Sequence, residues 1–89
     1  MLHQRTPQPI PPADLHALGR AVREVRARRV ISQEELGFRA MLHRNYVGAI
    51  ERGEINPTFR TLLRLCGGLD VELSSLIVSY ECSVAEAGR

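Results

Sequence analysis

From Ala13 onward the apolar residues of this chain recur at helical spacing. Leu15, Leu18, Val22 and Val25 stack on one face of a first helix, and Arg20 and Arg23 fall on the other side. Ser32 followed by Glu35 forms a capping box, in which the serine oxygen accepts the amide proton of the third helical residue and the glutamate reaches back to the serine amide. It predicts a second helix running to about Ala40. A third run, Arg44 to Arg52, is closed by Gly53, a residue able to take the left-handed conformation that ends helices. Asn56-Pro57-Thr58 marks a turn, with Thr58 as N-cap of a fourth helix that carries Leu62, Leu63, Leu65, Cys66 and Leu69. Leu73, Leu76, Ile77 and Tyr80 put one apolar stripe on a fifth. No strand-like alternation and no internal repeat interrupts this pattern. It predicts an all-α fold of five short helices over residues 13–80, followed by a tail at 81–89. The leading residues 1–12 contain Pro7, Pro9, Pro11 and Pro12, which oppose both helix and sheet, so a flexible, extended arm is expected there.

With 89 residues, 44% of them hydrophobic, the chain has room for one domain near the lower size limit of independent stability, where association helps. The net charge of +2 hides an uneven distribution: arginines outnumber acids between Ala13 and Leu65, and the segment after Cys66 is acidic. The basic part is a plausible anion-facing surface. Every basic residue is Arg and none is Lys, which suits bidentate phosphate and guanine contacts but is explained more simply by codon bias. Cys66 and Cys82 are too few for a disulfide scaffold or a zinc site. No apolar run is long enough to span a bilayer, and the N-terminal stretch lacks the apolar core of a signal peptide. A soluble, cytoplasmic protein without metal, cofactor or membrane partner is expected. His3, His16 and His43 form no ligand or triad spacing, and no nucleophile stands beside a base, which argues against an enzyme.

Five short helices with a tight connection between the second and third are the arrangement that presents one helix to a DNA major groove. The particular residues sharpen this. Ser32-Gln33-Glu34-Glu35-Leu36, Arg44-Asn45-Tyr46-Val47, Ile50-Glu51-Arg52-Gly53 and Asn56-Pro57-Thr58, at these spacings, resemble the helix-turn-helix of the Cro/C1 repressor family, also called the XRE family. The resemblance spans roughly Leu15 to Ile77 and implies a lambda-repressor-like domain whose third helix is the recognition helix. In its compact form it is similar to the restriction-modification controller proteins of that family.

The residues agree with that implication. Val47 and Ile50 point one way and can anchor the third helix on the core, leaving Asn45, Gly48, Ala49 and Arg52 on the opposite side. Arg44 at the N-terminal end suits the O6 and N7 acceptors of a guanine, and Asn45 suits adenine or a phosphate. Gly48 and Ala49 would allow close approach, with Ala49 near a thymine methyl. Tyr46 lies at the flank, suited either to sugar and phosphate or to the core. The resemblance implies a phosphate contact for Gln33, which the free amides of a helix start support. Thr58 and Arg60 are further phosphate candidates, whereas Arg20, Arg23 and Arg28 read as a solvated face. A structural ion pair between Arg26 and Glu51 follows from the resemblance and from their positions beside apolar faces.

Three positions depart from the family pattern, since Val30, Met41 and Asp70 stand where relatives usually carry glycine at helix ends. Left-handed conformations are costly for Val and Met, so the turns at Val30 and Met41 are expected to be rebuilt or strained. Gly67 and Gly68 suggest early termination of the fourth helix or close packing. The partners implied are double-stranded DNA, RNA polymerase and a second copy of the chain. The dimer interface is expected along Leu73, Leu76, Ile77 and Tyr80, with core packing an equal reading for Leu73 and Leu76. The resulting expectation is a sequence-specific transcriptional regulator acting as a homodimer on a two-fold symmetric operator. Two other readings stand beside it: a DNA-binding antitoxin, and an antagonist that has lost DNA binding and blocks another regulator.

Overall fold

A computed structural model describes residues 12–88. Among them are five helices: α1 (Pro12–Arg29), α2 (Gln33–Ala40), α3 (Arg44–Glu51), α4 (Phe59–Leu69) and α5 (Leu73–Ala87), and no strand. The proline-rich arm lies outside the described residues except for Pro12, which opens α1 instead of ending the arm. Proline fits there because the first helical residue needs no N–H and already has the right φ. Among the described residues no helix is long and apolar enough to cross a membrane.

The predicted starts are present in atomic detail. Ser32 Oγ accepts from the Glu35 amide at 3.0 Å, and Thr58 Oγ1 accepts from the Thr61 amide at 3.1 Å. Only half of the capping box forms, because the Glu35 carboxylate turns forward to Arg39 at 2.8 Å, one helical turn on.

The helix ends share one device. Val30, Met41 and Asp70 adopt left-handed φ values of 57°, 61° and 56°, as does Gly53 at 76°. After each, the next amide donates back to a carbonyl of the last turn: Ile31 to Arg26, Leu42 to Gly37, Glu54 to Ala49 and Val71 to Cys66. The turns are therefore not rebuilt around the missing glycines. The strain is accepted, and the reversal drops Ile31, Leu42 and Val71 onto the core.

That core joins all five helices through Val22 and Val25 of α1, Leu36 and Ala40 of α2, Val47 and Ile50 of α3, Leu65 and Leu69 of α4, and Leu76 of α5. Gly19 lets α1 touch the end of α3, since a methyl there would collide with the carbonyls of Ile50 and Glu51. Gly68 packs closely against Leu36 and Ala40 of α2, while Gly67 faces open space, and α4 runs through both.

α5 corrects the sequence reading most. The residues expected as a tail continue the helix to Ala87, because the long α1 gives them a surface to lie on. Ser83 is buried there, with its hydroxyl 3.4 Å from Arg20 Nε, and Ser79 accepts from Arg28 at 3.2 Å. Arg20 and Arg28, read as merely solvated, thus tether α5 to α1. Cys66 is buried and Cys82 is exposed.

Candidate nucleic-acid interface

α3 is short, and its position depends on what fixes its two ends. His43 caps the start, its Nδ1 accepting from the Asn45 amide at 3.0 Å, so the imidazole presents its lone pair to the helix and Asn45 is held by its backbone. Val47 and Ile50 are fully buried, and Glu51 closes the helix inside the protein. Arg44 and Asn45 remain on the outside: the Arg44 side chain is 62% exposed, with Glu34 no nearer than 3.9 Å. Ala49 is half-buried, and Tyr46 is half-buried with its ring packed against the edge of the core.

Gly48 is not on an open face, contrary to the sequence reading. It is buried beneath two side chains, and a methyl built on it would stand 3.0 Å from Arg52 Nη1 and 3.5 Å from Gln33 Oε1. Spacing places Gly48 opposite Val47 and Ile50 correctly, but it gives no account of long side chains arriving from α2 and from the helix end.

Beneath this surface lies a charged cluster. Arg26 grips Glu51 with two bonds, Nε to Oε2 at 2.6 Å and Nη2 to Oε1 at 2.9 Å, and donates a third to the Ile31 carbonyl at 3.0 Å. The bond to Glu51 raises the Arg26 guanidinium further above its ordinary range. Gln33 Nε2 donates to Glu51 Oε1 at 2.9 Å, so the side chain expected at a phosphate is held from behind by α3. Arg23, expected only in solvent, brings Nε to 3.7 Å from the same carboxylate.

At the far end of α3, Arg52 is matched by Glu54 at 2.8 and 3.2 Å in an exposed pair. The bond raises the pKa of the arginine and lowers that of the carboxylate. Sequence reading missed Glu54, since a turn residue two positions on carries no helical-face signal. Thr58 is exposed at the start of α4 with its oxygen used as the cap, and Arg60 is exposed beside it.

Apart from this surface, an open groove of about 330 Å³ runs between α1, α4 and α5, lined by residues that include Leu15, Leu18, Leu62, Ile77 and Tyr80. Of the four residues expected at a dimer interface, Leu76 is wholly in the core, because its position on α5 faces the other four helices. Leu73 and Tyr80 are half-buried against that core, and Ile77 is half-buried in the groove.

Comparison with known proteins places this geometry. A profile of the helix-turn-helix family matches residues 22–76. Control protein C.SmaI of Serratia marcescens is 38% identical over 60 residues, covering 67% of this chain and 71% of the relative. The immunity repressor protein of Bacillus phage phi105 is 32% identical over 60 residues, and the match spans 67% of this chain but only 42% of the repressor. Among solved structures, the restriction-modification controller protein C.AhdI of Aeromonas hydrophila superposes with a TM-score of 0.70 at 42% identity, covering 72% of this chain and 97% of that one. With its five helices, buried anchors on α3 and a family match over residues 22–76, the chain belongs to the helix-turn-helix family of the Cro/C1 (XRE) type, whose members are DNA-binding regulators and not enzymes.

Proposed function

We propose that the chain is a sequence-specific transcriptional regulator of the restriction-modification controller kind, acting as a homodimer on a two-fold symmetric operator. One observation carries the reading: α3 is anchored along one side by Val47, Ile50 and Glu51 while Arg44 and Asn45 stand exposed at its open end. Arg44 reads a guanine, Asn45 an adenine edge or a phosphate, and Ala49 lies near the base edges. Gln33, Thr58, Arg60 and, once released from Glu54, Arg52 serve the backbone. Tyr46 supports the helix from its flank.

The homodimer is supported by the groove at Ile77 and by the small contact area one module offers to DNA. A two-fold pairing sets two recognition helices about one helical turn of DNA, roughly 34 Å, apart. Selection of bound sequences from a random duplex library tests both halves of the reading. It should return inverted half-sites with centres about 10 base pairs apart. A single asymmetric site would remove the dimer, and no enrichment at all would remove sequence-specific binding.

A further inference from the structure

Glu51 is the last residue of α3, and its side chain is entirely removed from solvent. A carboxylate so placed needs donors. They come from two other helices: Arg26 and Arg23 from α1, and Gln33, the first residue of α2. The bond from Gln33 differs in kind from the others, because Arg26 alone already gives each Glu51 oxygen a charged partner.

A carboxylate only accepts, so Gln33 can face it only with its NH₂ edge. The flip of the carboxamide is thereby fixed. One N–H goes to Glu51 at 2.9 Å, the second stays available, and the group is laid over Gly48, where a side chain on α3 would meet it. We propose that Glu51 is a positioning residue for DNA binding: its buried carboxylate holds the Gln33 carboxamide at the start of α2 with one N–H presented to a phosphate oxygen. Resting on the DNA-binding reading above, this assigns to the buried pair a role in affinity besides its role in stability.

A double-mutant cycle tests it, read by fluorescence anisotropy on a duplex recovered from the library selection. Gln33→Ala should weaken binding by at least roughly tenfold per half-site, the scale of a hydrogen bond to a charged group, and to the same extent on every sequence. The paired variant Arg26→Met/Glu51→Met removes both charges while keeping side-chain bulk, an exchange that folded proteins tolerate well. It should lose as much affinity as Gln33→Ala, and adding Gln33→Ala to it should lose nothing more. Glu51→Gln, which keeps the shape but lets the amide flip either way, provides a second variant with the same expected loss.

Parental affinity in these Glu51 variants, or losses that multiply with that of Gln33→Ala, would overturn the assignment while leaving DNA binding intact. The side-chain NH₂ signals of Gln33 give a reading without DNA. One proton should exchange slowly in the parent and lose that protection in the Glu51 variants. Unprotected protons in the parent overturn the positioning directly. A protected amide in a protein that binds no sequence overturns the DNA-binding reading instead.

Discussion

Arg44 stands at the open end of α3 without a packing role, so truncating it probes sequence reading apart from folding. Arg44→Ala should fold like the parent and lose discrimination between operator and random DNA, by about 1 to 3 kcal/mol per half-site. An unchanged specificity ratio in competition binding removes it from the reading role. Arg26 makes the opposite test. Its side chain is 17% exposed and that of its partner Glu51 is 0% exposed, so Arg26→Met leaves a carboxylate buried beside Gln33 and Arg23 alone. Thermal melting should show a loss on the order of 3 kcal/mol, whereas the paired exchange of both residues to Met melts near the parent. A single variant that melts with the parent means that water reaches the carboxylate. The exposed pair of Arg52 and Glu54 makes a third test. Glu54→Gln frees the guanidinium for phosphate, which should raise affinity on all sequences and steepen the salt dependence by about one counterion per half-site. Affinity that stays level leaves Arg52 outside the interface.

At the scale of elements, the helix ends hold stability in reserve. Val30 is 87% exposed and left-handed, so its side chain has the conformational cost of that region with almost no burial to offset it. Val30→Gly should stabilise by about 1 kcal/mol, which in a domain of this size raises Tm by roughly 4–8 °C. A lower Tm would show that the freedom glycine adds to the unfolded chain outweighs the relief. The same elements show what the sequence discloses. Local signals placed α2, α3 and α4 well: Ser32, Thr58 and Gly53 act within a turn of their own positions, and the family's glycine pattern flagged Val30, Met41 and Asp70 as the unusual turns. What stayed hidden depends on residues far apart in the chain. The second half of α5 carries little apolar periodicity of its own and lies along α1, where Arg28 and Arg20 reach Ser79 and Ser83. Nothing in the sequence around Gly19 announces that the end of α3 lies on it, and Gly48 reads as open until Gln33 arrives from α2.

At the scale of the whole molecule, the proposed function rests on two surfaces: the exposed end of α3, and the groove where α1, α4 and α5 meet. Ile77 sits in that groove beside Leu15, Leu18 and Leu62, and a charge there would face apolar surface within the chain and, in the proposed dimer, across the interface. Ile77→Asp should remain folded, because Leu76 and not Ile77 fills the core, and should sediment as a monomer that binds a half-site weakly. A variant that still dimerises, or a parent that is monomeric at high micromolar concentration, places the interface elsewhere or removes it. The two cysteines make the proposed assembly testable in the unmodified sequence. Burial, and then the nearby charge of Glu72, push the Cys66 thiol up and keep it protonated, while Cys82 is open to solvent. At about 3.6 residues per turn, Cys82 projects from the side of α5 away from Ile77. A thiol-directed spin label should therefore attach once per chain without blocking the groove. The dipolar coupling between two labels then gives the separation of the paired helices directly, with and without DNA.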